Sequence, residues 1–184
     1  MTPEILLVYA SRYGQTRMIA TRIADVVEQE GGRVHPWNVD GIPAAVDLRA
    51  FDVVVLAGAV MWGRHARRLR RFISRNLALL STVRSILVSV SNAACSAEGR
   101  PFAEEYAQRL FRETGWQPDS FVLFGGGTTF TKYGFFTRLV MTRVEREHGR
   151  GTDRTRDYDY TDWEAVDAFA RSLAHDKERV ASSE

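Results

Sequence analysis

The apolar run Ile5-Leu6-Leu7-Val8-Tyr9 gives way to Ser11-Arg12-Tyr13-Gly14-Gln15-Thr16, and a helical pattern begins at about Thr16. A strand with no polar face belongs inside a parallel sheet covered on both sides. The loop behind it wraps over a helix start, where unpaired N–H groups and the positive end of the helix dipole are exposed. Such a place is an anion site, and the hydroxyls of Ser11 and Thr16 add hydrogen bonds for a phosphate. Gly14 permits a left-handed or close-approach backbone. The Lys-Ser/Thr ending of a triphosphate loop and the three-glycine dinucleotide pattern are both missing, which leaves one phosphate monoester held by amides and hydroxyls. An ordinary capped strand-to-helix turn would carry the same residues.

Strand and helix patterns alternate five times along the chain, which predicts an α/β doubly wound, five-stranded parallel sheet in a single domain over residues 1–184. The strands are expected near Glu4 to Tyr9, Arg33 to Val39, Asp52 to Ala57, Arg84 to Ser91 and Ser120 to Phe124. Pro36 marks the second as an edge strand. Val53-Val54-Val55-Leu56 marks the third as central. Helices are expected over about Thr16 to Glu30, closed by Gly31-Gly32, and over about Ala66 to Leu80. Another runs from Pro101 to Gly115, and a last one opens with the capping-box pattern Thr161-x-x-Glu164. Lys177 to Glu184 reads as a frayed tail.

Between the fifth strand and the last helix lies the anomaly, Gly125 to Asp159. A plain connection in such a fold takes about 2–6 residues. The aromatics Phe130, Tyr133, Phe135 and Phe136 argue against disorder, and Phe136, Leu139, Val140 and Val144 fall at helical spacing. A short amphipathic helix over Phe135 to Arg146 is expected, suited to a membrane surface or to closing over a ligand.

Charge is informative by placement. All but two of the 25 basic residues are arginine, Lys132 and Lys177 being the exceptions, and the net charge is +2. Arg64, Arg67, Arg68, Arg71 and Arg75 recur at three- and four-residue intervals, opposite Leu69, Phe72 and Ile73. They form either a solvated face or an attractor for anions such as carboxylates, acidic phospholipid or an acidic protein. Nucleic acid is disfavoured, because no recognised binding motif accompanies the stripe. Cys95 is alone, which fits a reducing cytoplasm. No secretory signal and no run of ~18 apolar residues is visible. The four histidines are scattered and predict no metal site.

In an open parallel sheet, ligands sit beyond the carboxyl ends of the strands at the point where strand order reverses. The phosphate loop, the loop Gly58-Ala59-Val60-Met61-Trp62-Gly63, and the loop Ser91-Asn92-Ala93-Ala94-Cys95 all emerge there. Together with Gly14-Gln15-Thr16-Arg17, the string Tyr160-Thr161-Asp162-Trp163-Glu164 and the helix behind it resemble the flavodoxin-type, quinone-dependent protoporphyrinogen oxidases of bacteria. The resemblance runs from about Ile5 to His175.

That resemblance implies an FMN enzyme acting on protoporphyrinogen IX and passing electrons to a membrane quinone, ubiquinone or menaquinone, in haem biosynthesis. It implies a cytoplasmic protein, peripheral on the membrane at most, and leaves the oligomeric state open. The phosphate would be held by Ser11, Arg12, Tyr13, Gly14, Gln15 and Thr16. Trp62 would stack on the isoalloxazine between Met61 and Gly63, although a core or surface tryptophan is the alternative. The backbone of Ser89, Ser91, Asn92, Ala93 and Ala94 would contact the pyrimidine edge. No side chain stands out as an acid or base. A soluble flavodoxin-type carrier and an FMN-dependent quinone or NAD(P)H reductase remain the other classes.

Overall fold

A computed structural model describes residues 2–43, 46–128, 131, 142, 153, 155 and 157–175. The elements, in order, are β1 (Glu4–Ala10), α1 (Gln15–Gln29), β2 (Arg33–Asn38), β3 (Val53–Met61), β4 (Arg64–His65), α2 (Arg67–Arg75) and α3 (Leu77–Leu80). They continue with β5 (Ser85–Ser91), α4 (Arg100–Thr114), β6 (Ser120–Gly125), β7 (Gly127–Thr128), β8 (Tyr158–Asp159) and α5 (Trp163–Ala174). The main sheet has the order β2-β1-β3-β5-β6 with every neighbouring pair parallel, and β4 folds back antiparallel on β3. The expected α/β fold is therefore present, with β2 and its Pro36 at the edge.

Period-two alternation divides the strands between two cores. Ile5, Leu7, Val53, Val55, Ile86 and Val88 face one side, where Ile19, Ile23 and Val27 of α1 and Val166, Ala170 and Leu173 of α5 cover them. Leu6, Val8, Val54, Leu56 and Leu87 face the other, under Leu69 and Ile73 of α2, Leu110 of α4 and Trp116. Buried on both faces, the strands have no solvent side to mark with polar residues. Buried Trp116 keeps its indole N–H satisfied by donating to Ser85 Oγ at 3.1 Å.

Three expectations are corrected. The helix predicted over Ala66 to Leu80 breaks at Asn76, whose Nδ2 donates to the Phe72 carbonyl at 2.8 Å. An amide that competes for a backbone carbonyl favours a helix end over a helix interior. Thr161 does not cap the last helix; Asp162 does, its Oδ1 accepting from Ala165 N at 2.9 Å. Third, the loop expected from Gly58 is largely strand, since β3 runs on to Met61 before turning into β4. Of Gly125 to Asp159, the described residues include the two-stranded ribbon β7–β8. The helix predicted over Phe135 to Arg146 lies outside the described residues, Thr142 excepted, as does the tail Lys177 to Glu184.

Candidate cofactor site at the carboxyl edge of the sheet

Strand order reverses between β1 and β3, and a cleft of about 530 Å³ opens beyond their carboxyl ends. Ligand sites commonly fall within about 300–1,000 Å³. All three expected loops line it: Ser11, Arg12, Tyr13, Gln15 and Thr16 from the first, Met61, Trp62 and Gly63 from the second, Ser91, Asn92 and Ala93 from the third.

Local rules shape the phosphate loop. Gly14 sits at φ 108°, which a β-carbon resists, and donates its N–H to Ser11 Oγ at 3.1 Å. No side chain caps α1 and its first turn holds no acid, so the positive helix end is left open. Thr16 lies at the bottom, 1% exposed, and its Oγ1 has no partner. A buried hydroxyl without a partner costs about 1–3 kcal/mol, so the site is built for an acceptor that the polypeptide does not supply. The loop is tied down from outside. Arg68 Nη2 donates to the Ser11 carbonyl at 2.6 Å and the same guanidinium pairs with Asp40. Gln15 Nε2 donates to Asp159 Oδ1 at 2.8 Å and to Thr161 Oγ1 at 2.7 Å, while the Thr161 hydroxyl donates to the Gly125 carbonyl at 3.0 Å.

The second loop is a two-residue hairpin. Met61 pairs with Arg64 across Trp62 (φ 53°) and Gly63 (φ 72°), the positive dihedrals of a type I′ turn. A left-handed tryptophan costs roughly 1–2 kcal/mol. It persists here with the residue 66% exposed at the cleft, the kind of strain found at ligand clamps. Below the hairpin His65 is buried, with Nε2 3.0 Å from Ser89 Oγ and Nδ1 unpartnered. Burial first, and the positive charge of Arg70 second, push its imidazole down to about 4, with Glu113 opposing.

Ser89 does not line the cleft, and its side chain is buried against His65. Ala94 stands outside the lining too, using its N–H to donate to Ser91 Oγ at 3.3 Å. Sequence reasoning missed Glu98, Gly99, Phe102, Tyr106, Gly126 and Gly127, all of which line the cleft. The signal for Phe102 and Tyr106 was their four-residue spacing beside, and not on, the buried row Ala103, Ala107 and Leu110 of α4. Gly99 is forced, since an added β-carbon would lie 2.1 Å from the Ala93 carbonyl oxygen. Gly99→Ala should displace that loop and lower stability by about 2 kcal/mol, roughly 4–8 °C in a thermal melt. An unchanged melting temperature would show that the backbone yields freely.

Among the described residues, no three His, Cys, Asp or Glu side chains group to hold a metal, and no helix is long and apolar enough to cross a membrane. A parallel sheet of this order with an open helix start after β1 is the flavodoxin-like form of the doubly wound fold, and the chain belongs to the flavodoxin domain family, whose model matches residues 6–155. It is 28% identical over 173 residues to the protoporphyrinogen IX dehydrogenase [quinone] of Escherichia coli K12, covering 94% of this chain and 95% of that protein. A protein of the same name from Leishmania major is 24% identical, over 94% of this chain and 75% of its own length. Oxidised Flavodoxin 1 from Bacillus cereus superposes with a TM-score of 0.53 at 13% identity, over 92% of this chain and 96% of that one, which shows the common fold.

The residues present fit FMN. The open helix start and the orphaned Thr16 hydroxyl suit its phosphate, and the strained, exposed Trp62 suits a flat ring.

Proposed function

We propose that this protein is an FMN-dependent enzyme that oxidises protoporphyrinogen IX to protoporphyrin IX in haem biosynthesis and hands the electrons to a membrane quinone, ubiquinone or menaquinone. The observation that carries the reading is the likeness to protoporphyrinogen IX dehydrogenases over 94% of the chain, joined to a cleft whose aromatic mouth stays open. Trp62 and Phe102 line that mouth at 66% and 62% exposed, so a large, mainly apolar ring has somewhere to lie.

The work divides by loop. Ser11, Arg12, Tyr13, Gly14, Gln15 and Thr16 hold the cofactor phosphate, chiefly through N–H groups and hydroxyls. Trp62 covers the isoalloxazine, with the Met61 and Gly63 backbone beside it, and Ser91, Asn92 and Ala93 edge the pyrimidine side. Bound FMN supplies the redox chemistry, taking two electrons per cycle, so the aromatisation needs three rounds. No acid or base is assigned, and His65 is not one, because its ring is buried off the cleft. The enzyme works at the cytoplasmic face of the membrane as a peripheral protein.

The test is anaerobic. The purified protein, yellow with noncovalent FMN, should bleach on adding protoporphyrinogen IX and regain its colour on adding a ubiquinone or menaquinone analogue. A flavin that stays oxidised with the porphyrinogen but bleaches with NAD(P)H or a reduced electron-carrier protein would overturn the reading.

A further inference from the structure

A second cavity, of about 370 Å³, lies away from the cleft between α2 and the end of α4, lined by Arg67, Arg70, Arg71, Ser74, Arg75 and Glu113 with Thr114. Four guanidiniums face one carboxylate there. That carboxylate is already taken. Glu113 receives Arg70 Nη1 at 2.8 Å and Arg109 Nε at 3.1 Å, and Arg64 stands 3.2 Å away. Arg70 keeps a buried Nε–H without an acceptor. Arg67, Arg71 and Arg75 are exposed, and no carboxylate among the described residues pairs with any of them. Arg75 suits the negative end of the α2 dipole, whereas Arg67 and Arg71, four residues apart, repel one another and destabilise the helix slightly. Arg64 and Arg68 do not belong to this set: the first sits in β4, and the second is committed to Asp40 and the Ser11 carbonyl.

The cavity and the cleft share one edge of α4. Phe102, Tyr106, Arg109 and Glu113 follow at four-, three- and four-residue steps, so a single stripe runs from the aromatic mouth to the arginines. Eleven residues of helix separate the two ends by roughly 16 Å. Exposed aromatics at one end and unpaired guanidiniums at the other match the interfacial and phosphate layers of a bilayer, respectively.

We propose that the arginine groove of α2 and α4 binds the headgroup phosphates of anionic phospholipid and so seats the mouth of the cleft against the membrane. This deepens the reading above, and rests on it for the choice of a membrane as the anionic surface. Guanidinium forks match phosphate oxygens bidentately.

The experiment uses FMN-loaded protein and quinone-free vesicles, of phosphatidylcholine alone or mixed with phosphatidylglycerol. Wild type should sediment with the mixed vesicles and not with the neutral ones, and lose this binding as salt rises. Each arginine near an anionic surface is worth roughly a fivefold change. The variant Arg67→Gln/Arg71→Gln/Arg75→Gln should therefore bind about 100-fold more weakly, with its FMN content and its turnover with a water-soluble quinone unchanged. Equal binding of both vesicle types, salt-insensitive binding by wild type, or a variant as tight as wild type would each overturn the proposal. So would pyrophosphate that raises the melting temperature of wild type alone in the absence of any vesicle binding, since the ligand would then be a soluble phosphate. Because the vesicle-binding readout requires neither protoporphyrinogen nor quinone, failure here is separable from failure of the proposed reaction.

Discussion

Thr16→Ala is expected to weaken FMN binding by about 10- to 100-fold, the equivalent of roughly 1.5–3 kcal/mol for a hydrogen bond to a charged group. The same change should leave the FMN-free protein as stable as before, or more so, because it deletes a buried hydroxyl that has no partner. Gly14→Val behaves differently. Gly14 sits at φ 108°, and a branched side chain there costs about 1–3 kcal/mol of strain whether or not a ligand is present. It should lower both the melting temperature and the FMN affinity. FMN fluorescence titrations beside thermal melts of the stripped proteins separate the two patterns. Full affinity in both variants would mean that the phosphate is held elsewhere.

The second large effect is on pH dependence. His65 is held neutral to about pH 4 in the folded chain, against 6.5 when free, by burial and by the nearby Arg70 charge. Above pH 6.5 it is neutral in both folded and unfolded protein and contributes no slope. Between 6.5 and 4 the unfolded chain takes up a proton that the folded one refuses, so stability falls as the pH falls. The loss amounts to roughly 3 kcal/mol over that window, at 1.36 kcal/mol per pH unit. Carboxylates held low by partners, Glu4, Asp47, Glu113 and Asp167, add losses of the same sign nearer their own range. The informative quantity is therefore the difference between wild type and His65→Gln. Urea unfolding from pH 7 to 4.5 should give a steeper decline for wild type, and parallel curves would place the proton elsewhere. Because His65 pairs with Val60 and touches Ser89, its protonation should also disturb the Trp62 hairpin.

What could be read in the residues depended on how local the cause was. Val53-Val54-Val55-Leu56 and Ile5 to Val8 announced themselves because burial on two faces leaves an unbroken apolar run. The turn from β1 into α1 was legible for a similar reason: strand, glycine and helix start stand side by side. Asn76 was not, because its effect lies in a side-chain bond to a carbonyl one turn back. At the last helix, Thr161 and Asp162 are both good caps, and the choice was settled by Gln15, which occupies the threonine. The side chain of Ser89 could not be placed from sequence, because alternation along a buried strand does not say which face meets a histidine from a neighbouring hairpin. Arg68 shows the same blindness. Its spacing put it in a basic stripe, and only the fold brings the Ser11 carbonyl and Asp40 to it.

The bond from Gln15 to Thr161 has a consequence for the order of events during synthesis. On the proposed reading, one end of the FMN cradle is laid down almost at the start of translation, and its brace arrives 146 residues later. Arg22 on α1 waits in the same way for Asp167 on α5. Until Asp159 and Thr161 have left the ribosome Gln15 lacks its brace, so a nascent chain is expected to hold the cofactor less firmly than the finished one. Firm capture of FMN becomes the closing act of folding, and a chain stalled before Thr161 would emerge paler.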